Sequence, residues 1–202
     1  MIRLRIGIDV DGTVYPWTEA VNAAVMERFP ETPDPGEHQT WDYLKELLGS
    51  DERWRWLWST EAASAVFGRL DLIYPGAAEA INGLAKHHDI HFVTHRNPNK
   101  SAIATAFWLN EWFPSFKGVH ILDNSVPKHD CYDFDVFIED KPETIYGFSS
   151  YAPGVTTLMP MRPWNADFAH AQGGPKHIFY TWDAVPTIVN EVATDVDSPI
   201  VL

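Results

Sequence analysis

Apolar residues recur at every second position from Ile2 through Leu4 and Ile6 to Ile8, and the run then breaks at Asp9-Val10-Asp11-Gly12-Thr13. Alternation of this kind reads as a short buried strand over 2–8. Residues two apart in a strand share a face. Once the chain turns at Gly12, Asp9 and Asp11 can therefore converge beyond the strand's carboxyl end, where open α/β sheets bind their ligands. Two like charges held close require a cation or a shared proton. A hard divalent ion with oxygen ligands, Mg²⁺ first, suits such a pair. The same residues also describe an ordinary strand end with an Asp-Gly turn, so the decision rests on what the rest of the chain brings to this point.

The rest of the chain alternates. The pattern predicts a helix over 17–29, stopped by Pro30, then a loop over 31–39 rich in Pro, Gly and charge. Short aromatic helices are expected over 41–48 and 52–58, and another over 59–67. This stretch lacks alternating strands and reads as a helical insertion. Helices at 75–87, 98–113 and 142–148 then interleave with strands at 90–94, 119–122, 136–139 and 155–159, with one more strand at 178–180. Asp183 is expected to cap a final helix over 184–192, and residues 195–202 to fray. Strands alternating with helices argue for a parallel sheet covered on both faces, which gathers Asp9, Asp11, Thr94, Glu139 and Asp140 along one edge.

Composition narrows the function. The chain has 202 residues, 45% of them hydrophobic, enough for one globular domain with a modest insertion. Fifteen basic residues against 28 acidic ones give a net charge of −13, which opposes binding to nucleic-acid backbones or anionic membranes. A small phosphorylated substrate remains compatible, because a metal and a few placed cations can reverse the local field. The single cysteine, Cys131, excludes an intramolecular disulfide framework and fits a reducing cytoplasm. No signal peptide or membrane-spanning run is read. The sequence leaves the oligomeric state open, and a homodimer is compatible with it.

Four motifs accumulate in order: Asp9-Val10-Asp11-Gly12-Thr13, Thr94 closing a strand before His95-Arg96-Asn97, Lys128 after Val126-Pro127, and Glu139-Asp140 after Val136-Phe137-Ile138. Together they resemble the haloacid dehalogenase-like superfamily of phosphatases over about residues 1–160. The resemblance implies an α/β, Rossmann-like three-layer sandwich with a mostly parallel central sheet. A small helical cap (30–73) would be inserted after the first strand and helix, between core segments 1–29 and 74–193, with a tail over 194–202. It further implies Asp9 as the nucleophile that carries the phosphoryl group and Asp11 as the general acid and base. Mg²⁺ would be held by the Asp9 carboxylate, the Asp11 backbone carbonyl and the Asp140 carboxylate. Thr94 and Lys128 would contact the phosphoryl group, and Glu139 would hold a metal-bound water. Arg96 either reaches the substrate phosphate or braces its loop, and His95 either touches substrate or holds a loop hydrogen bond. His87, His88 and His91 read as solvated histidines at a helix end rather than as ligands.

Finer features are similar to the 5′(3′)-deoxyribonucleotidase family: the DVDGTVYPW stretch with an aromatic residue eight positions after Asp9, Tyr74-Pro75-Gly76-Ala77, Ile138-Glu139-Asp140-Lys141-Pro142 and Met161-Arg162-Pro163-Trp164-Asn165. Glu139 and Lys141 stand where that family shows Asp and Arg. This likeness implies a nucleoside monophosphate as substrate, with Trp17 as a base-contacting side chain. Base–aromatic stacking is worth roughly 1–3 kcal/mol. Trp41, Trp54, Trp56 and Trp58 either supply a second wall or join the insertion to the core, the latter being favoured. A phosphatase for another small ester, such as a sugar phosphate, and a catalytically silent binding domain are the alternatives.

Overall fold

The computed structural model describes residues 2–32 and 48–197. At its centre is a six-stranded, all-parallel sheet in the order β3-β2-β1-β4-β5-β6. The strands are β1 (Arg5–Ile8), β2 (Asp89–His95), β3 (Gly118–Leu122), β4 (Val136–Ile138), β5 (Thr156–Pro160) and β6 (His177–Phe179). The helices are α1 (Trp17–Arg28), α2 (Asp51–Leu57), α3 (Thr60–Phe67), α4 (Ala77–Leu84), α5 (Pro98–Trp112), α6 (Pro142–Tyr151) and α7 (Val185–Asp197). The architecture is the expected α/β sandwich.

Both sheet faces are apolar because successive strand residues feed opposite layers. Ile6, Ile8, Phe92, Ile138 and Leu158 pack with α1, α4, α5 and α7 on one side. Val93 and Phe137 pack with Phe148 of α6 on the other, where Met159 meets Ile145. Gly7 makes room for this second layer. A Cβ there would lie 2.4 Å from the Phe137 ring.

Local chemistry sets the helix ends. Pro98 and Pro142 occupy first-turn positions of α5 and α6, where a missing N–H costs nothing. Ser50 and Ser59 accept backbone N–H groups from Arg53 and Ala62 and so cap α2 and α3. These two helices lie between α1 and α4, in the stretch expected as an insertion. Three core side chains grip it: Tyr15 donates to the Val66 carbonyl, Trp108 to Leu72 at 3.0 Å and Trp112 to Leu70 at 2.9 Å.

Some boundaries differ from expectation. α4 ends at Leu84 rather than near 87, because the His87 and His88 N–H groups both turn back to the Leu84 carbonyl. α6 continues to Tyr151, three residues past the expected end. Asp183 does not cap the last helix. It lies inside a 3₁₀ turn, Trp182–Ala184, whose cap is Thr181. α7 runs to Asp197, past the expected end at 192, carried by a buried stripe of Val185, Val189 and Ala193 at helical spacing. The expected loop at 31–39 and helix at 41–48, with Trp41, fall outside the described residues except for 31–32 and 48, as do residues 198–202. Among the described residues no helix is long and apolar enough to cross a membrane.

Candidate active site

β1 lies between β2 and β4. Because all three strands run parallel, Asp9, Thr94-His95-Arg96 and Glu139-Asp140 emerge at the same sheet edge. The Asp9 N–H still bonds the Ile138 carbonyl at 2.9 Å, so Asp9 is held in the ladder. Three residues on, Gly12 turns with φ +81°, and a Cβ there would lie 2.3 Å from an Asp140 carboxylate oxygen. Glycine is thus required twice over, for the left-handed turn and for the approach of Asp140.

Asp9, Glu139 and Asp140 are all buried, and one oxygen from each lies within 4.8 Å of the others. The ammonium of Lys128, on a 3₁₀ turn after Pro127, donates to Asp9 and to Glu139, the latter at 2.7 Å. Thr13 sits between the two aspartates. Its hydroxyl lies 3.2 Å from Asp9 and 3.1 Å from Asp140, and it accepts the Asp140 N–H. Three carboxylates thus face one ammonium. Burial, reinforced by Glu139, pushes Asp9 up to about 7 against the pull of Lys128. Burial, then Glu139 and Asp9, holds Asp140 well above the ordinary carboxylate range. Burial also works against the Lys128 charge, but Asp9 and Glu139 outweigh it and raise that group.

An all-oxygen, negatively charged donor set fits a hard divalent cation. Such an ion would replace the protons these carboxylates otherwise retain. The cluster draws in Glu139 directly. One Glu139 oxygen accepts Lys128 and the other accepts the Lys141 N–H at 3.1 Å.

Asp11 lines the same cavity as the cluster but is not one of the three clustered carboxylates. The Arg96 guanidinium forks onto both of its oxygens, at 2.8 and 2.5 Å, and Thr94 donates to one of them at 3.3 Å. A third guanidinium nitrogen donates to Thr105 on α5 at 2.7 Å. The Phe67 ring of α3 lies against the same guanidinium, 4.2 Å from ring centre to its carbon. The Arg96 fork is therefore committed to Asp11 here.

These groups open into one cavity of about 700 Å³. Asp9, Thr94 and Lys128 are among its polar lining residues, and Trp17, Leu57, Trp58 and Phe67 among its apolar ones. His95 also lines it, with one ring nitrogen 2.8 Å from the Val126 carbonyl, so the residue ties two loops together. Burial holds the His95 imidazole below its ordinary value. The insertion's tryptophans divide their work. Trp56 packs edge-on against Phe29 at 5.4 Å and joins the insertion to α1. Trp58 faces the cavity, with Trp54 against its outer side at 5.8 Å.

Residues of the Met161–Asn165 segment, quoted above without individual roles, prove to frame the site. Arg162 donates to the carbonyls of Gly12 and Thr13 at 2.9 and 3.2 Å and stacks on Tyr74 at 3.8 Å. The Trp164 indole donates to Asp140 at 2.8 Å, and the Asn165 amide bonds the Asp140 carbonyl at 2.9 Å. Nothing in their spacing pointed to Asp140, because they meet it only through the β4–β5 crossover. Partners that orient a metal ligand typically carry about 10–100-fold of metal affinity. Trp164→Phe keeps the ring and loses the N–H, so it is expected to weaken Mg²⁺ binding by about 10-fold or more. Calorimetric titration checks this, and an unchanged affinity would remove Trp164 from the site.

No family model matches the chain, and no curated protein matches it by sequence. Solved structures do match in fold. YfnB of Bacillus subtilis, described as a HAD-hydrolase and bound to magnesium, aligns with TM-score 0.61 at 17% identity, over 94% of this chain and 100% of that one. The L-2-haloacid dehalogenase of Xanthobacter autotrophicus, with chloropropionic acid covalently bound, gives 0.63 at 14% identity, over 94% and 99%. A Thermotoga maritima protein described as a β-phosphoglucomutase gives 0.58 at 16% identity, over 94% and 99%. At such low identity the likeness is one of architecture, and the chain has the fold of the haloacid dehalogenase-like hydrolases.

Proposed function

We propose that this chain is a Mg²⁺-dependent phosphatase that hydrolyses a nucleoside monophosphate, a deoxyribonucleotide first, through an aspartyl-phosphate on Asp9. The observation that carries the reading is the buried Asp9–Lys128–Glu139–Asp140 group in a cavity that Trp17, Trp58 and Phe67 also line. The first group suits a phosphate with its cation, the aromatic side chains a planar base.

An Asp9 oxygen attacks phosphorus as the ester O–P bond breaks, and the bonding pair leaves with the substrate oxygen. Asp11 gives that oxygen a proton. In the second half, water attacks the aspartyl phosphate and passes a proton to Asp11, which frees phosphate and restores Asp9. Lys128 and Thr13 fix the plane of the Asp9 carboxylate, and Lys128 spreads charge as the bond forms. Thr94 lines the cavity, and its hydroxyl, on Asp11 at 3.3 Å in this structure, would turn to the incoming phosphoryl group. Gly12 has its N–H on the Tyr15 carbonyl, so it does not serve the phosphate. The Asp9 and Asp140 carboxylates with the Asp11 carbonyl would hold Mg²⁺, which would supply charge neutralisation of the phosphoryl group.

A panel of nucleoside monophosphates, a sugar phosphate and an aryl phosphate, each with and without Mg²⁺, tests the reading. Metal-dependent turnover with nucleotides ahead is the expected result. Preference for the sugar phosphate moves the substrate class, and absence of turnover from folded protein leaves a binding domain. Trp17→Ala is expected to raise KM for the nucleotide by about 10-fold, within the range that one stacking contact carries, and to change the aryl phosphate less. Equal changes on both substrates would remove Trp17 from base recognition.

A further inference from the structure

Arg96 is buried, and among the described residues its charge meets a single carboxylate, Asp11, through Nε and one terminal nitrogen. Its third contact is Thr105 of α5, itself fixed to the Ser101 carbonyl at 2.8 Å. Its flat face rests on Phe67, which belongs to the inserted helix α3. A guanidinium fixed in its plane, at one edge and on one face has little freedom left. A bidentate fork of that kind sets both the position and the rotation of the carboxylate it holds.

We propose that Arg96 is a positioning residue: it fixes the place and rotation of the Asp11 carboxylate, with Phe67 and Thr105 setting the guanidinium plane. The inference rests on the phosphatase reading and on Asp11 as its acid and base. It makes the seating of the inserted helix a condition for proton transfer.

The test compares two esters on the Mg²⁺-loaded enzyme. A nitrophenolate leaves without a proton, whereas a nucleoside alkoxide needs one. Arg96→Met is expected to release a stoichiometric burst of nitrophenol from p-nitrophenyl phosphate, followed by turnover lowered by about 100-fold, the scale of a lost acid–base contribution. With a nucleoside monophosphate the burst itself disappears. KM for the nucleoside monophosphate stays nearly constant, KM for p-nitrophenyl phosphate falls together with its turnover as the phosphoryl-enzyme accumulates, and Arg96→Lys restores part of the rate. Thr105→Val, which deletes only the buried hydroxyl, is expected to show the same pattern more weakly and serves if Arg96→Met does not fold. Loss of burst and turnover alike on both esters, or a change in KM alone, would overturn the assignment of Arg96 while leaving the phosphatase reading intact. A wild-type enzyme that hydrolyses neither ester overturns both.

Discussion

Asp9→Asn is expected to lower phosphatase turnover by at least about 10⁴-fold, the scale seen when a nucleophile is removed from an otherwise intact site. The fold should survive. Asn keeps the shape of the side chain, an oxygen for the Lys128 ammonium and a group that can meet the Thr13 hydroxyl. It also removes one of three buried carboxylates that repel each other. Steady-state assays with circular dichroism alongside separate the two outcomes. Activity within a few-fold of wild type, from Asn-bearing protein free of deamidation, would show that another group attacks phosphorus.

The second large effect concerns charge. In the metal-free protein Asp9 is pushed up to about 7 from an ordinary value of 3.8, so the folded state holds a proton over a range where the unfolded chain has lost it. The stability this group contributes is therefore present below about pH 4 and lost as pH rises through about 7. Asp140 is shifted in the same direction and adds to the trend. Mg²⁺ should remove this dependence by taking the place of the protons, and its affinity should climb over the same interval.

Asp140→Asn isolates the effect. The Asn oxygen can accept the Trp164 N–H while its amide donates to Thr13, which in turn donates to Asp9. The variant is expected to raise the metal-free Tm at pH 7 by at least about 2 °C, roughly 1 kcal/mol in a chain of this size. It should weaken Mg²⁺ binding by at least about 100-fold, the upper end of what an outer partner alone carries. Thermal unfolding across pH, with and without Mg²⁺, reads both. A lower Tm with unchanged Mg²⁺ affinity would mean that Asp140 serves packing and not the cation.

Much of the architecture was legible because it follows from local pattern. The β1 run, Pro98 and Pro142 at helix starts, and polar residues at the ends of apolar strands are short-range signals. A parallel sheet then does the gathering, so strand-end residues in sequence become neighbours in space. What was not legible depends on side-chain direction across the fold. The contact between Arg96 and Asp11 spans 85 positions, and that between Trp164 and Asp140 depends on where the β4–β5 crossover returns. Thr13 looked like a turn residue and turned out to link two buried aspartates, a role set by Gly12 allowing Asp140 so close. At the far end, Asp183 had the chemistry of a cap but the wrong backbone, since the 3₁₀ turn moves the helix start past it.

The central claim is that Asp9 takes the phosphoryl group within a cluster completed by a divalent ion. Rapid acid quench of the wild-type enzyme turning over a ³²P-labelled nucleoside monophosphate, followed by peptide mapping, addresses it most directly. Label is expected on Asp9, dependent on Mg²⁺ and absent from Asp140→Asn. Label on any other residue, or the same labelling with the ion chelated, would contradict it.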